Sequence, residues 1–294
     1  MINKIAFNNA IEKLGRGKDF SVGYFGGSIT EGAGASDSKK TSWRALTTEW
    51  LRKAFPLSNI IEIQASIGGT GSDLGAFRCH RDLLEQNPDL VFVEFGVNDY
   101  IIEPDRISRS IEGIVRQIWK HNLKTDIVFV YTITKEMSAD YDNNHPIRSI
   151  EEHQKIAAYY GIPSINVGKA LYDIIKKGES DWGKLTIDTV HPTDIGYAIY
   201  AKEVKQFLQK YLNEKMAPVR RILPVSFNQR TLENGTLVDS WHIIQQGWER
   251  DETSLARRYP HMLVCNKPDT ELKFSFKGTT IGLYWLVAPD SGDI

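Results

Sequence analysis

Ser28 stands in the stretch Tyr24-Phe25-Gly26-Gly27-Ser28-Ile29-Thr30-Glu31, directly after an apolar run at residues 20–25. A serine on the tight turn that closes a strand projects its hydroxyl from the edge of a sheet. Neighbouring glycines let the backbone bend and a substrate come close. His191 lies far later, in Thr186-Ile187-Asp188-Thr189-Val190-His191-Pro192, with Asp188 on the same loop. That spacing lets the Asp188 carboxylate hold one imidazole nitrogen while the other faces a reacting hydroxyl, as a general base requires. Together the three groups can transfer an acyl group through a covalent serine ester. Taken singly, Ser28 has the ordinary alternative of a serine on a glycine-rich turn, and His191 that of a structural or solvent-facing histidine.

Two further loops supply groups that can meet a developing negative charge. Gln64-Ala65-Ser66-Ile67-Gly68-Gly69-Thr70-Gly71-Ser72 follows a second apolar run, and its flexible backbone can point amide hydrogens at an anion. Phosphate binding is the competing use, but neither the Walker lysine pattern nor the G-x-G-x-x-G spacing is present. Glu94-Phe95-Gly96-Val97-Asn98-Asp99 follows a third run, and the Asn98 carboxamide can donate a hydrogen bond where charge develops. The ordinary alternative is that Asn98 and Asp99 only build a turn and cap the next element of the chain.

Positioning these loops requires a scaffold, and the pattern of the first two-thirds of the chain provides one. Short runs rich in Val, Ile and Phe at residues 20–25, 60–65, 90–95, 127–131 and 164–167 predict buried parallel strands. Helical patterns lie between them at 42–55, 76–86, 107–121, 147–160 and 169–177. After His191, Thr193 can cap a helix along which Ile195, Ala198, Tyr200, Ala201, Val204, Leu208 and Tyr211 repeat. Alternating strand and helix predict an α/β/α fold with a five-stranded parallel sheet, whose ligands sit beyond the carboxyl ends of the strands.

Near residue 217 the helical pattern stops. Leu272, Phe274 and Phe276 alternate with polar residues, and 262–265 and 280–287 also read as strands. The expected organisation is therefore an α/β domain at 1–217 and a small β-rich module at 218–294. The module is expected to be sandwich- or jelly-roll-like, and is short enough to be an incomplete copy of a larger one or to lean on the first domain.

Composition narrows the function. Of 294 residues, 36 are Lys or Arg and 37 Asp or Glu, so a net charge of -1 offers no footprint for nucleic acid or an anionic membrane. No run is long enough to span a bilayer, and residues 1–20 lack the continuous apolar core of a secretory signal. Cys79 and Cys265 form no paired motif. A cytoplasmic chain is expected, with no cofactor and no metal, since the histidines show no H-E-x-x-H spacing.

The four loops, in this order, resemble those of the SGNH hydrolases, also called GDSL-type esterases and lipases. The resemblance covers residues 19–213. It implies Ser28 as nucleophile, Asp188 and His191 as the rest of a triad, and an oxyanion hole from the Ser28 amide, Gly69 and Asn98. Two positions depart from the family pattern: Gly27 replaces the aspartate that commonly precedes the nucleophile, and Gly68-Gly69-Thr70 replaces Ser-Gly-Asp. A Gly-Gly-Ser first block is similar to that of bacterial carbohydrate esterases that carry an added β-rich module.

The resemblance thus implies a serine acetylesterase acting on acetylated oligosaccharides such as mannan or xylan fragments. The alternatives are a lipid-directed esterase or thioesterase and a catalytically idle carbohydrate-binding protein. Trp241, Trp248, Tyr259, Tyr284 and Trp285 can offer flat faces to pyranose rings, although the apolar run around Tyr284 and Trp285 favours a core role for that pair. Arg78, His80 and Arg81 are candidates to line the site, with a solvated helix face as the ordinary alternative. The oligomeric state is not encoded in any of these patterns.

Overall fold

The structure is a computed structural model that describes residues 7–214, 217–218, 220–243, 246–251, 258–287 and 289. The chain divides into two compact units, Met1–Leu237 and Val238–Ile294.

The first unit is built on a parallel sheet of β1 (Phe20–Gly26), β2 (Ile60–Gln64), β3 (Leu90–Glu94), β4 (Asp126–Tyr131) and β5 (Ser164–Asn166), in the spatial order β2-β1-β3-β4-β5. Every residue of β3 and β4 is buried, which is why these strands read as continuous apolar runs. Side-chain alternation then divides the core in two. Val91, Val93, Ile127, Phe129 and Tyr131 face one layer of helices: α4 (Ser72–Asp82), α5 (Pro104–His121) and α7 (Arg148–Tyr160). Leu90, Phe92, Val128 and Val130 face the other, formed by α1 (Asn9–Gly15), α3 (Trp43–Ala54), α8 (Val167–Lys176) and α10 (Asp194–Glu214). The result is the expected three-layer α/β/α fold.

The sheet order places the reversal of winding between β1 and β3, since the chain leaves β1 for β2 on one side and returns to β3 on the other. The crevice at such a reversal, beyond the strand ends, is where an open α/β sheet binds its ligand. The loops after β1, β2 and β3 all open there. Five short elements complete the described part of the unit: α2 (Ser28–Glu31), α6 (Ser138–Asp142), α9 (Trp182–Leu185) and 3-10 turns at Leu84–Gln86 and Asn98–Ile101. On α10 the apolar stripe departs from the expectation in the first turn, where Tyr197 is buried while Ile195 and Ala198 are exposed.

The change of character near residue 217 ends the helical pattern without ending the packing. Residues 221–237 have no regular structure but run along α5. Arg116 donates to the Pro224 carbonyl at 2.8 Å, Glu112 accepts the Asn228 N–H at 2.7 Å, and Leu232 N–H donates to the Arg109 carbonyl at 3.2 Å.

In the second unit the described residues form one small antiparallel sheet, β6 (Glu249–Asp251) with β7 (Met262–Val264), in the register Arg250 opposite Leu263. The alternating stretches at 272–276 and 280–287 form no ladder among the described residues, contrary to expectation, and Phe276 is 55% and Trp285 51% exposed. Alternation supplies an apolar face, but a strand also needs a neighbouring edge to take its amides and carbonyls. Tyr284 and Trp285 therefore do not form a buried core. Tyr284 stacks on Tyr259 with centroids 4.6 Å apart, while Trp241 packs against His261 at 4.2 Å.

Candidate active site

The turn after β1 carries Ser28. The ladder continues one residue past the strand, with the Gly27 N–H donating to the Glu94 carbonyl at 3.3 Å, and Ser28 then opens the four-residue helix α2. Gly32 closes that helix at a φ of 100°, a left-handed conformation that favours glycine, and its N–H donates to the Ser28 carbonyl at 2.9 Å. Tyr197 on α10 holds the helix from the other side, its hydroxyl donating to the Ala33 carbonyl at 2.6 Å.

His191 and Asp188 sit on a loop closed by an antiparallel bridge between Thr186 and Pro192. Asp188 Oδ1 accepts the amides of Val190 at 3.0 Å and His191 at 2.7 Å, and its Oδ2 lies 2.7 Å from His191 Nδ1. With Nδ1–H donated to the carboxylate, Nε2 is left as an acceptor, and it lies 2.8 Å from Ser28 Oγ. Burial works against the Asp188 charge, but the amide and ring of His191 and the amide of Val190 outweigh it and hold the carboxyl below its ordinary value. Gly34, at a φ of 90°, lets the chain after α2 pass this loop where a Cβ would come within 2.5 Å of the Pro192 carbonyl oxygen.

The second glycine cluster is pinned on both sides of Gly69. Gly68 N–H donates to Glu31 Oε2 at 2.8 Å, the Arg78 guanidinium bonds Thr70 Oγ1 at 3.1 Å, and Ser72 N–H donates to Asp99 Oδ1 at 2.8 Å. Gly69 itself is exposed at a φ of 76°. Asn98 opens the 3-10 turn after β3, half-buried, with its carboxamide packed on Gly27. Among the described residues no acceptor takes the Ser28 N–H, the Gly69 N–H or the Asn98 side-chain amide. Open donors of this kind suit a charge that forms only during reaction.

Residues 24–199 match the GDSL-like lipase/acylhydrolase family. The chain belongs to that family. Its members are acylhydrolases, and this one is a carboxylic ester hydrolase by the same assignment. A two-domain esterase (CEX) active on acetylated mannans, co-crystallized with mannopentaose, is 26% identical with a TM-score of 0.76. The alignment covers 90% of this chain and 70% of that one. A second structure of a two-domain esterase (CEX) active on acetylated mannans is 28% identical with a TM-score of 0.73, and the match spans 84% of this chain and 64% of that one. The acetylxylan esterase Axe2 from Geobacillus stearothermophilus shares the fold at 18% identity, with a TM-score of 0.55 over 68% of this chain and 96% of that one. No curated protein sequence matches. Among the described residues, no helix of the hydrolase is long and apolar enough to cross a membrane.

The hydrolase also has three buried polar residues whose roles the sequence does not disclose. Arg78 is neither a site-lining residue nor part of a solvated face. It is fully buried, and bonds the carbonyls of Ala65 at 2.5 Å and Gly26 at 2.9 Å, with Asp82 at 3.1 Å. Its guanidinium lies 4.6 Å from the centroid of the Phe25 ring. It thereby ties the end of β1, the end of β2 and the Gly69 loop to one cation. His80, by contrast, is exposed beside Glu85, and Arg81 bonds Asp82 at 2.6 Å. Glu94, at the end of β3, accepts hydroxyl hydrogens from Thr30 at 2.8 Å and Thr132 at 2.7 Å, which braces α2 from beneath. Asp99 pairs with His153. A carboxylate inside the apolar run 90–95 is the signal from which Glu94 could be found.

Proposed function

We propose that this hydrolase removes short acyl groups, acetyl above all, from the hydroxyls of acetylated oligosaccharides through an acyl-Ser28 intermediate. The unbroken chain Ser28–His191–Asp188, with contacts of 2.8 Å and 2.7 Å, carries the reading. Ser28 Oγ attacks the ester carbonyl while His191 Nε2 takes its proton, and the Asp188 carboxylate stabilises the imidazolium that results. The amides of Ser28 and Gly69 and the Asn98 carboxamide receive the oxyanion. As the tetrahedral adduct collapses and the C–O bond breaks, His191 returns the proton to the departing sugar oxygen, which leaves as a hydroxyl. Water, deprotonated by His191, then releases acetate from Ser28.

The saccharide assignment is supported by the two-domain esterases active on acetylated mannans, at 26% and 28% identity. Purified Ser28→Ala and wild type are to be compared on a short aryl acetate and on acetylated mannan, xylan and pectin oligosaccharides. Wild type is expected to release acetate from the mannan or xylan fragments and Ser28→Ala from none. Near wild-type turnover by Ser28→Ala would end the nucleophile assignment. Hydrolysis of aryl acetate with no acetate released from any oligosaccharide would end the substrate assignment.

A further inference from the structure

Two adjacent glycines precede Ser28, and the structure gives them different reasons to be glycine. A Cβ at Gly26 would strike the main-chain carbonyl of Glu94 and come within 2.7 Å of Thr30 Oγ1, so a side chain there would force β3 and α2 apart. At Gly27 the backbone is extended, with φ −93° and ψ −154°, and the sign of φ is one that any L-residue adopts. Conformation therefore does not require glycine at 27. Space does. A Cβ there would overlap Asn98 Oδ1, lie 3.1 Å from Asn98 Cγ and only then meet another group, the Thr70 carbonyl oxygen at 3.5 Å.

We infer that Gly27 is a positioning residue for ester hydrolysis: the side chain it lacks is the room in which the Asn98 carboxamide lies against the nucleophile turn. The inference rests on the assignment of Asn98 as an oxyanion donor. Asn98 is half-buried and its carboxamide has no hydrogen-bond partner among the described residues, so little holds it against a methyl group pushing from residue 27. It would swing outward while β1, α2 and the Ser28–His191 contact stay in place. A donor displaced by about 1 Å can cost about 10²-fold in rate. Substrate binding, which precedes charge development, would change little.

The test is a double-mutant cycle on the full chain with wild type, Gly27→Ala, Asn98→Ala and the double variant, measuring kcat, KM and melting temperature on a short aryl acetate. Asn98→Ala is expected to lower kcat by about 10²–10³. Gly27→Ala should lower kcat by about 10²-fold with KM and melting temperature close to wild type. Adding Gly27→Ala to Asn98→Ala should cost less than about threefold more, because residues that act through one group are not additive. A Gly27→Ala enzyme as fast as wild type, or a full multiplication of the two losses, overturns the inference. Wild-type turnover by Asn98→Ala instead removes the donor assignment on which it rests. Should Gly27→Ala fail to fold, Gly27→Ala with Asn98→Gly frees the space again. Recovery of a wild-type melting temperature would support the coupling, and no recovery would overturn it.

Discussion

Asp99 Oδ2 and His153 Nε2 meet at 2.7 Å with both side chains buried. Asp99 directly follows Asn98, and its other oxygen accepts the amide of Ser72 at the start of α4. One carboxylate thus joins the Asn98 turn to α4 and α7. Removing the imidazole leaves a buried carboxylate short of a partner, which costs about 3 kcal/mol. Urea denaturation of His153→Ala against wild type should show that loss. A difference below about 1 kcal/mol would mean that the pair contributes little.

Asp188→Asn keeps the shape of the side chain but removes the anion that receives the His191 Nδ1–H. The imidazole can then present the wrong tautomer to Ser28, and kcat is expected to fall by about 10³–10⁴ with little change in KM. Because the native carboxyl titrates below its ordinary value of 3.8, its contribution to stability is present above that value and is lost as pH falls through the native one. Aryl acetate kinetics with both proteins check the first statement. The difference between their denaturation midpoints should be steady above 3.8 and shrink below it.

Much of this arrangement is legible in the sequence, for physical reasons that also mark where legibility stops. β3 and β4 are buried on both faces, so their residue types alone disclose a parallel sheet, and the loops after such strands are where its ligand must sit. Ser28, Asn98 and His191 stand out because each interrupts that pattern at a strand end or helix start. Arg78 does not, since an arginine on a helix is ordinarily solvated, and only three-dimensional packing shows its guanidinium bonding the ends of β1 and β2. Residues 221–237 leave no periodic trace because their contacts are made by single side chains and carbonyls rather than by a repeating face. At 272–287 the opposite holds: an alternating pattern is present, but pattern cannot state whether a neighbouring edge exists.

Glu94 gives a pH test of the brace beneath α2. Burial pushes its carboxyl above the ordinary 4.5, while the hydroxyls of Thr132 and Thr30 oppose the rise. The folded protein therefore holds this proton to higher pH than the unfolded chain does. Stability contributed by the group is present below 4.5 and declines as pH rises through the native value. Glu94→Gln has no such titration. The stability of wild type relative to Glu94→Gln should fall as pH rises above 4.5, whatever constant offset the substitution brings. Urea midpoints of the two proteins across that range check the slope, and parallel curves would show that the carboxyl titrates alike in both states.

The segment after α10 decides how much chain the hydrolase unit needs. Arg221 and Asp126 form an ion pair with 4% and 0% of their side chains exposed, and Arg221 also donates to the Leu123 carbonyl at 3.1 Å. Glu112, fully buried, accepts amides from Phe227 at 2.5 Å and Asn228 at 2.7 Å. α5 meets this segment so closely that a Cβ on Gly113 would lie 2.7 Å from the Leu232 main chain. Ending the chain at 217 would strip buried Asp126 and Glu112 of these donors at about 3 kcal/mol or more for the first alone. Ending it at 237 would strip neither. The 1–237 protein is therefore expected to unfold cooperatively and to hydrolyse an aryl acetate at close to the rate of the full chain, while the 1–217 protein should be unfolded or aggregated. Circular dichroism melting and aryl acetate turnover of the two truncations separate these outcomes, and a stable, active 1–217 protein would show that the buried carboxylates tolerate water in place of the strap.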